Sequence, residues 1–296
     1  MASQTTLETV LRRDRSVILA GLIIITALAW IYMVYLAQSM SGMDMSMDMD
    51  MDMQMSSDMP MKEEGMSMNS EAMSMDHDSM AMGMVMSWTA VDFIMTFVMW
   101  AVMMVAMMVP AAAPMILIFA GMNRKKAEQQ QPYIPTTVFM SGYLIVWWGF
   151  ALLATVAQWG LHQAALLSSM MGKLTPVIGG IVVIAAGIFQ WTPWKNVCLE
   201  HCRGPIGFMM AHWRDGLGGT LYMGMHHGLF CLGCCWFLMG LMFVAGVMSL
   251  FWMAVIAAFI LLEKVVPKGA AGTAVVWGAG IAMLGWGGWM IFGAVA

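Results

Sequence analysis

Three cysteines lie within five residues of one another, in the sequence HHGLFCLGCCW. If this segment is helical, His227, Cys231 and the pair Cys234/Cys235 follow one another at i, i+4 and i+7 or i+8, so they share one face of the helix. The residues around them are apolar, and unpaired imidazole and thiol groups are costly to bury in a membrane. A soft metal ion would satisfy them together. The spacing therefore predicts a metal site.

A second group of candidate ligands precedes this segment. Cys198, His201 and Cys202 are spaced at i, i+3 and i+4, in a region expected near the inner membrane surface, where thiols stay reduced. Thiolate and imidazole suit both Cu(I) and Zn(II), so the donor types alone leave the metal open. His212 is expected to be solvated at the interface, and His226 to point away from the ligand face.

Methionine is unusually frequent, at 41 of 296 residues, and it dominates the polar segment 40–86. Counted from the sequence, that segment contains 18 Met and 10 Asp or Glu in 47 residues, with no hydrophobic period that would predict folding. Thioethers suit Cu(I) and compete poorly for Zn(II). Capture of Cu(I) is favoured over a plain linker or an oxidant sink. The first candidate ligands alternate along the chain: Met43, Met45, Met47, Met49, Met51 and Met53.

A stripe of methionines continues into the second apolar segment. A helix stacks residues at i+4 roughly 6 Å apart on one face. Such a stripe is either a thioether ladder that passes Cu(I) along or ordinary packing by Met, and both interpretations stay open. The pattern resembles the local chemistry of the eukaryotic high-affinity copper importers, which have three spans. Its members are Met95, Met99, Met103 and Met107, with Met104 and Met108 beside them.

The composition predicts an all-α polytopic membrane protein that positions these ligands. The chain is 61% hydrophobic and 10% charged, with mean hydropathy +0.77. A basic patch with interleaved aromatic residues is not visible, so nucleic acid is not an expected partner. Seven transmembrane helices are predicted, at about 16–37, 88–122, 136–161, 176–191, 221–244, 248–262 and 273–292.

The distribution of basic residues predicts the orientation. Alternate segments hold 11 of the 13 Lys and Arg residues, and the opposite side has only Lys62 and Lys173. The N-terminus is therefore expected inside. We expect a cytoplasmic N-terminus with the first helix (1–39), a disordered extracytoplasmic Met/Asp-rich loop (40–86) and a six-helix membrane domain (87–296) with a cytoplasmic Cys/His loop (195–219). Glu263 and Lys264 are expected to form a charge pair or anchor at the inner surface.

Two long stretches carry a family resemblance. The sequence CLEHCRGPIGFMMAHWRDGLGG and the following MGMHHGLFCLGCCWFLMGLMFVAGVMSLFWMAVIAAFILLEKVVPKG resemble a bacterial family of integral membrane proteins that are predicted to bind metal and have no assigned function. The stretch WAVMMVAMMVPAAAPM fits the same family, so the resemblance covers about residues 86–267. It implies a multi-pass protein of the bacterial inner membrane. It also implies metal binding by Cys198, Cys202, His227, Cys231, Cys234 and Cys235.

The favoured hypothesis is a copper-binding membrane protein rather than an enzyme. The Met-rich loop would capture Cu(I), the Met stripe would convey it, and the Cys/His cluster would hold it or release it inward, with zinc as the alternative ion at that cluster. A metallochaperone or a cuproenzyme would be the protein partner. One alternative is a quinone-linked thiol-disulfide oxidoreductase that uses Cys231 and Cys234. Another is a cuproenzyme assembly factor without net transport.

Overall fold

The computed structural model describes residues 16–39, 88–128, 134–164, 175–247, 249–267 and 269–295. Within these ranges the regular structure is helical and no strand occurs, which confirms the all-α prediction. The Met-rich segment 40–86, including Met43, Met45, Met47, Met49, Met51 and Met53, lies outside the described residues. Its disorder and its position outside the cytoplasm therefore stay predictions.

Ten helices make up the described part of the chain. They are α1 (Ser16–Ser39), α2 (Ala90–Glu128), α3 (Thr136–Gln163), α4 (Pro176–Gln190), α5 (Pro193–Arg203), α6 (Pro205–His212), α7 (Gly216–Gly240), α8 (Met242–Ala245), α9 (Leu250–Val265) and α10 (Ala270–Val295).

Within the described part of the chain, the structure supports fewer membrane spans than the predicted seven. Among the described residues, five helices are long and apolar enough to cross a bilayer: α1, α2, α3, α7 continued by α8, and α10. A sixth is counted if α4 and α5, which meet at a bend of 65°, form one broken span. Helix α9 has 16 residues, and a helix of that length reaches about 24 Å, less than the roughly 30 Å of a bilayer core. Seven spans are thus not confirmed.

The segment 195–219, expected as a loop, is largely helical. It contains most of α5, all of α6 and the first turn of α7. Pro193 and Pro205 each occupy the first position of a helix, where the missing N–H costs no hydrogen bond. Leu199 and Phe208 are buried, so both short helices pack into the protein through an apolar side.

Helix α1 docks on α2 at a proline. Pro110 has no N–H, so the carbonyl of Ala106, four residues earlier, loses its helical donor. The indole N–H of Trp30 donates to that carbonyl at 3.2 Å. Leu22 and Met33 of α1 are buried as well. The carbonyl group that Pro110 leaves without a donor in α2 thus accepts a hydrogen bond from a side chain of α1. Backbone polar groups in the membrane interior require such a partner.

Helices α3 and α7 cross with their backbones in close contact. A Cβ atom added at Gly142 would overlap the carbonyl oxygen of Leu221, and one added at Gly224 would overlap that of Phe139. Small residues permit such close approach between membrane helices. The crossing places Tyr143, the neighbour of Gly142, against the middle of α7.

Contacts between helix ends define two ends of the bundle. The Lys126 ammonium donates to Asp215 at 2.8 Å and lies 4.4 Å from the ring centroid of Trp213. The hydrogen bonds from Lys126 and from the Trp213 indole lower the pKa of the Asp215 carboxyl. We call this end the basic end. At the other end the Trp88 ring lies 5.9 Å from the ring of His162. This arrangement agrees with the alternation of basic segments, while the cytoplasmic location of the basic end stays a prediction.

Candidate metal site

The three cysteines of α7 are all buried, with exposed fractions of 0% for Cys231, 2% for Cys234 and 1% for Cys235. The thiols of Cys234 and Cys235 donate to the carbonyl oxygen of Cys231 at 3.0 and 2.8 Å. These bonds hold both thiols close to the turn of α7 that carries Cys231.

Helix α5 brings two further thiols to this turn. The Cys202 thiol interacts with the thiols of Cys231 and Cys234. The Cys198 sulfur lies against the backbone of Gly233, where an added Cβ atom would be only 2.8 Å from it. The two ligand groups that the sequence presents separately are therefore parts of one thiol cluster, which we define as Cys198, Cys202, Cys231, Cys234 and Cys235.

His227 lies one helical turn before Cys231 and is also buried, with 2% exposure. Its ring stacks at 24° on Tyr143 and Phe139, with centroids 5.7 and 6.2 Å away. Its Nδ1 atom has no hydrogen-bond partner among the described residues. An unsatisfied buried polar group costs about 1–3 kcal/mol, so this nitrogen is suited to a ligand that the protein takes up.

Two polar residues from other helices complete the surroundings of Cys231. The Lys264 ammonium lies 2.9 Å from the Cys231 sulfur. The Tyr143 hydroxyl lies 3.1 Å from the same sulfur and donates to the carbonyl of Met108, also at 3.1 Å. Sequence analysis missed both residues. Lys264 was visible only as a charge that follows an apolar run, and Tyr143 gave no signal at all.

A buried ion pair fixes the end of α9 that carries Lys264. The Lys195 ammonium contacts both carboxylate oxygens of Glu263 at 2.7 and 2.9 Å, and it also donates to the side-chain oxygen of Gln190. The Arg203 Nε donates to the backbone carbonyl of Glu263 at 2.6 Å. The predicted charge pair between Glu263 and Lys264 is wrong, because Glu263 is 2% exposed and pairs with Lys195, while an anchoring role at the inner surface stays a prediction.

The Met stripe of α2 divides into a buried part and an exposed residue. Met95 is 64% exposed, which separates it from the other predicted members. The remaining methionines lie in the core of the bundle: Met99, Met103, Met104, Met107 and Met108, each at most 4% exposed. The stripe approaches the thiol cluster at Met108, whose carbonyl accepts the hydrogen bond from Tyr143.

His201 has its closest ring contacts outside the thiol cluster. Its ring stacks on Phe230 at 4.1 Å and 2°, and its Nδ1 lies 2.8 Å from the carbonyl oxygen of Val197. The ring of His212 lies 6.4 Å away, and that of His226 lies 4.8 Å from His212. The structure thus groups His201 with two histidines that sequence analysis set aside.

The thiol cluster offers donors for a soft metal ion. In the described part of the chain, no three His, Cys, Asp or Glu side chains are placed to hold one ion as they stand. Thiolates suit both Cu(I) and Zn(II), so the donor types alone leave the ion open.

Comparison with known proteins identifies the family. A model of the family described as "PpoB2: Copper chaperone" matches residues 97–290, which is more than half of the chain and includes every cysteine. No curated protein and no solved structure matches the chain. Sequence analysis expected a metal-binding family without an assigned function, whereas the matching family is described by copper, which makes the function copper-related. The chain belongs to the PpoB2 copper chaperone family.

Proposed function

We propose that this membrane protein carries Cu(I) as cargo on the thiolates of Cys231 and Cys234, with the neutral Cys202 thiol beside them, and passes it on by ligand exchange. The observation that carries the proposal is the convergence of thiols from α5 and α7 in a buried site. The unpartnered Nδ1 of His227 is available beside them as a further ligand. Thiolates are among the ligands that Cu(I) prefers.

The charge of the site supports a monovalent cargo. Two thiolates and one Cu(I) ion carry a net charge of −1, and the ammonium of Lys264 beside Cys231 brings the total to zero. A neutral assembly is the least costly one to bury in a medium of low dielectric constant. Zn(II) on the same two thiolates, with Lys264 in place, would leave an excess positive charge.

The family description favours delivery of copper to another protein over membrane transport without a recipient protein. In our proposal, Met43, Met45 and their neighbours capture Cu(I) outside, and the buried methionines of α2 convey it from Met99 to Met108. The hydrogen bonds of Tyr143 to the Met108 carbonyl and to Cys231 support this order, because one side chain spans the step from the stripe to the thiol cluster. A cuproenzyme or a soluble metallochaperone would be the recipient.

The experiment is a Cu(I) titration of the purified full-length protein in detergent, against a chromophoric Cu(I) chelator, with X-ray absorption to identify the ligand atoms. Wild type is compared with Cys231→Ser/Cys234→Ser and with a variant in which the six methionines 43–53 become Leu. The matched control for the Met variant changes the interleaved acids to Asn and keeps every thioether; these are Asp44, Asp48, Asp50 and Asp52.

The proposal expects one tightly bound Cu(I) per chain on the thiol cluster of wild type, besides weaker binding by thioethers, and the loss of the tightly bound ion in Cys231→Ser/Cys234→Ser. Replacement of the six methionines is expected to slow loading, and the Asn control to load at a rate closer to that of wild type. Tightly bound zinc in wild type, unaffected by the Met variant, would overturn the proposal in favour of a zinc site. A redox-active disulfide between Cys231 and Cys234 without copper binding would favour the oxidoreductase instead.

A further inference from the structure

Three histidines from three helices meet beside the thiol cluster. His201 of α5, His212 of α6 and His226 of α7 are each half-buried. The ring centroids of His201 and His212 are 6.4 Å apart, and those of His212 and His226 are 4.8 Å apart. We call these three residues the histidine group. It lies closer to solvent than the buried thiols of α7.

The histidine group and the thiol cluster share two pairs of adjacent residues. His201 precedes Cys202, and His226 precedes His227. Neighbours on a helix are rotated by about 100° and their Cα atoms are about 3.8 Å apart. Cys202 therefore lies on the side of the thiols and His227 on the side of Tyr143. Their neighbours His201 and His226 lie on the side of the histidine group.

The ring nitrogens are prepared for ligation. The Nδ1 atoms of His201 and His212 lie 2.8 and 3.2 Å from the carbonyl oxygens of Val197 and Phe208. Because a carbonyl only accepts, both Nδ1 atoms carry the proton, and the lone pair of each neutral ring is on Nε2. Histidines that bind metals in proteins typically donate their second nitrogen in this way. The Nδ1 of His226 is buried without a partner in the described part of the chain.

The distances between the ring centroids are close to those between imidazoles that bind the same ion. Two imidazoles that each bind one ion at about 2.0–2.1 Å have ring centroids roughly 5 to 6.5 Å apart, depending on the angle between them. The observed 6.4 Å lies within that range, and the observed 4.8 Å lies just below it. Since no three such side chains of the described residues can hold one ion as they stand, binding requires side-chain rotation.

The charge next to the histidine group selects the ion. The Arg214 guanidinium lies 4.3 Å from the ring centroid of Tyr222, and that ring stacks on His226 at 5.7 Å. Neutral imidazoles do not offset a positive charge, so a nearby guanidinium repels a divalent ion about twice as strongly as a monovalent one. Imidazole is a good ligand for copper. The surroundings therefore favour Cu(I) over Cu(II) and Zn(II).

We propose that His201, His212 and His226 form a second Cu(I) site, half-exposed and separate from the thiol cluster. Copper is exchanged there with a partner protein before it reaches the thiols or after it leaves them. The exchange step rests on the proposed function, whereas binding by the histidine group does not.

The test uses the purified full-length protein and Cu(I) itself as the probe. Bound Cu(I) is counted per chain, and X-ray absorption gives the share of nitrogen and sulfur ligands. The variant His212→Gln/His226→Gln is compared with His162→Gln, which changes a half-buried histidine at the opposite end of the bundle. A second variant, His201→Gln/His212→Gln, serves if the first does not fold.

The proposal expects the double variants to lose one nitrogen-coordinated equivalent of Cu(I) and to keep the sulfur-coordinated one, while His162→Gln loses neither. Cys231→Ser/Cys234→Ser should show the reverse pattern, so a failed thiol site and a failed histidine site give different results. Unchanged copper content and nitrogen ligation in both folded double variants would overturn the proposal. So would simultaneous loss of both kinds of bound copper, because the histidines would then only support the thiol cluster.

Discussion

The ammonium group of Lys264, at the end of α9, lies 2.9 Å from the sulfur of Cys231, in the middle of α7. The two residues are 33 positions apart in sequence, and the contact places a positive charge beside buried thiols. In the proposed site, a copper ion on two thiolates would leave a negative charge that this ammonium offsets. Lys264 would then supply charge to the site and no metal ligand.

Replacement of Lys264 by Gln is expected to weaken Cu(I) binding. Gln keeps much of the length of the side chain but removes its charge and adds no sulfur ligand, so the copper–dithiolate unit would be buried with an uncompensated charge of −1. We expect the dissociation constant to rise by about tenfold or more, which corresponds to about 1.4 kcal/mol or more. Competition with a Cu(I) chelator measures this change.

The matched control is Lys126→Gln. The ammonium of Lys126 pairs with the exposed carboxylate of Asp215 at the basic end. We expect copper affinity to be unchanged in this control. Equal affinity of Lys264→Gln and wild type, or tighter binding by the variant, would contradict the role of Lys264 in charge compensation.

Removal of one partner of the buried pair between Lys195 and Glu263 is expected to destabilise the fold. Lys195→Met leaves the Glu263 carboxylate, 2% exposed, without its ammonium partner. Loss of one partner of a buried ion pair typically costs about 3–5 kcal/mol. The double variant Lys195→Met/Glu263→Leu should recover most of this loss. Unfolding in detergent measures the stabilities of the single and the double variant. A double variant that is no more stable than Lys195→Met would show that the lost stability does not come from the unpaired Glu263 carboxylate.

The ligand face of α7 could be predicted from sequence because it depends on local geometry alone. His227, Cys231 and Cys234 follow the helical repeat, and all three side chains are buried in the helix that this repeat predicts. The repeat along α2 also marked Met103 and Met107, which are buried. It could not separate them from the exposed Met95, because burial depends on which neighbouring helices cover each turn.

The rest of the site depends on contacts between distant segments. Lys264 reaches Cys231 from an end of α9 that Lys195 and Arg203 of α5 contact through Glu263. In sequence, the same lysine looks like an ordinary charge at the end of an apolar run. The histidine group was missed for a similar reason, since His212 and His226 come together only when α6 folds back on α7. Periodicity describes one helix at a time and contains no information on such pairings.

The crossing of α3 and α7 predicts a large difference between two glycines of the same helix. Gly142→Ala would place a methyl group on the carbonyl oxygen of Leu221, whereas an added Cβ at Gly149 meets no described atom within 4 Å. Overpacking of this kind typically costs about 1–3 kcal/mol. Gly149→Ala should be neutral or stabilising, by up to about 1 kcal/mol. Equal stabilities of the two variants in detergent unfolding would show that the helices do not approach as closely as described.

Substitution of His227 by Phe separates metal binding from packing. The ring lies between Tyr143 and Phe139, so Phe retains the aromatic stack and removes the unpartnered Nδ1. Because that nitrogen costs about 1–3 kcal/mol when it is unsatisfied, the variant without copper should be at least as stable as wild type. If His227 is a ligand, the same variant should bind Cu(I) about tenfold more weakly or worse, since Phe offers no lone pair.

His162→Phe is the control, and it should leave copper affinity unchanged. A His227→Phe protein with full copper affinity would show that His227 is a packing residue, and the thiols would then be sufficient for the cargo. A variant that loses copper but not stability would show that the protein tolerates an unsatisfied nitrogen in its core because copper uses it.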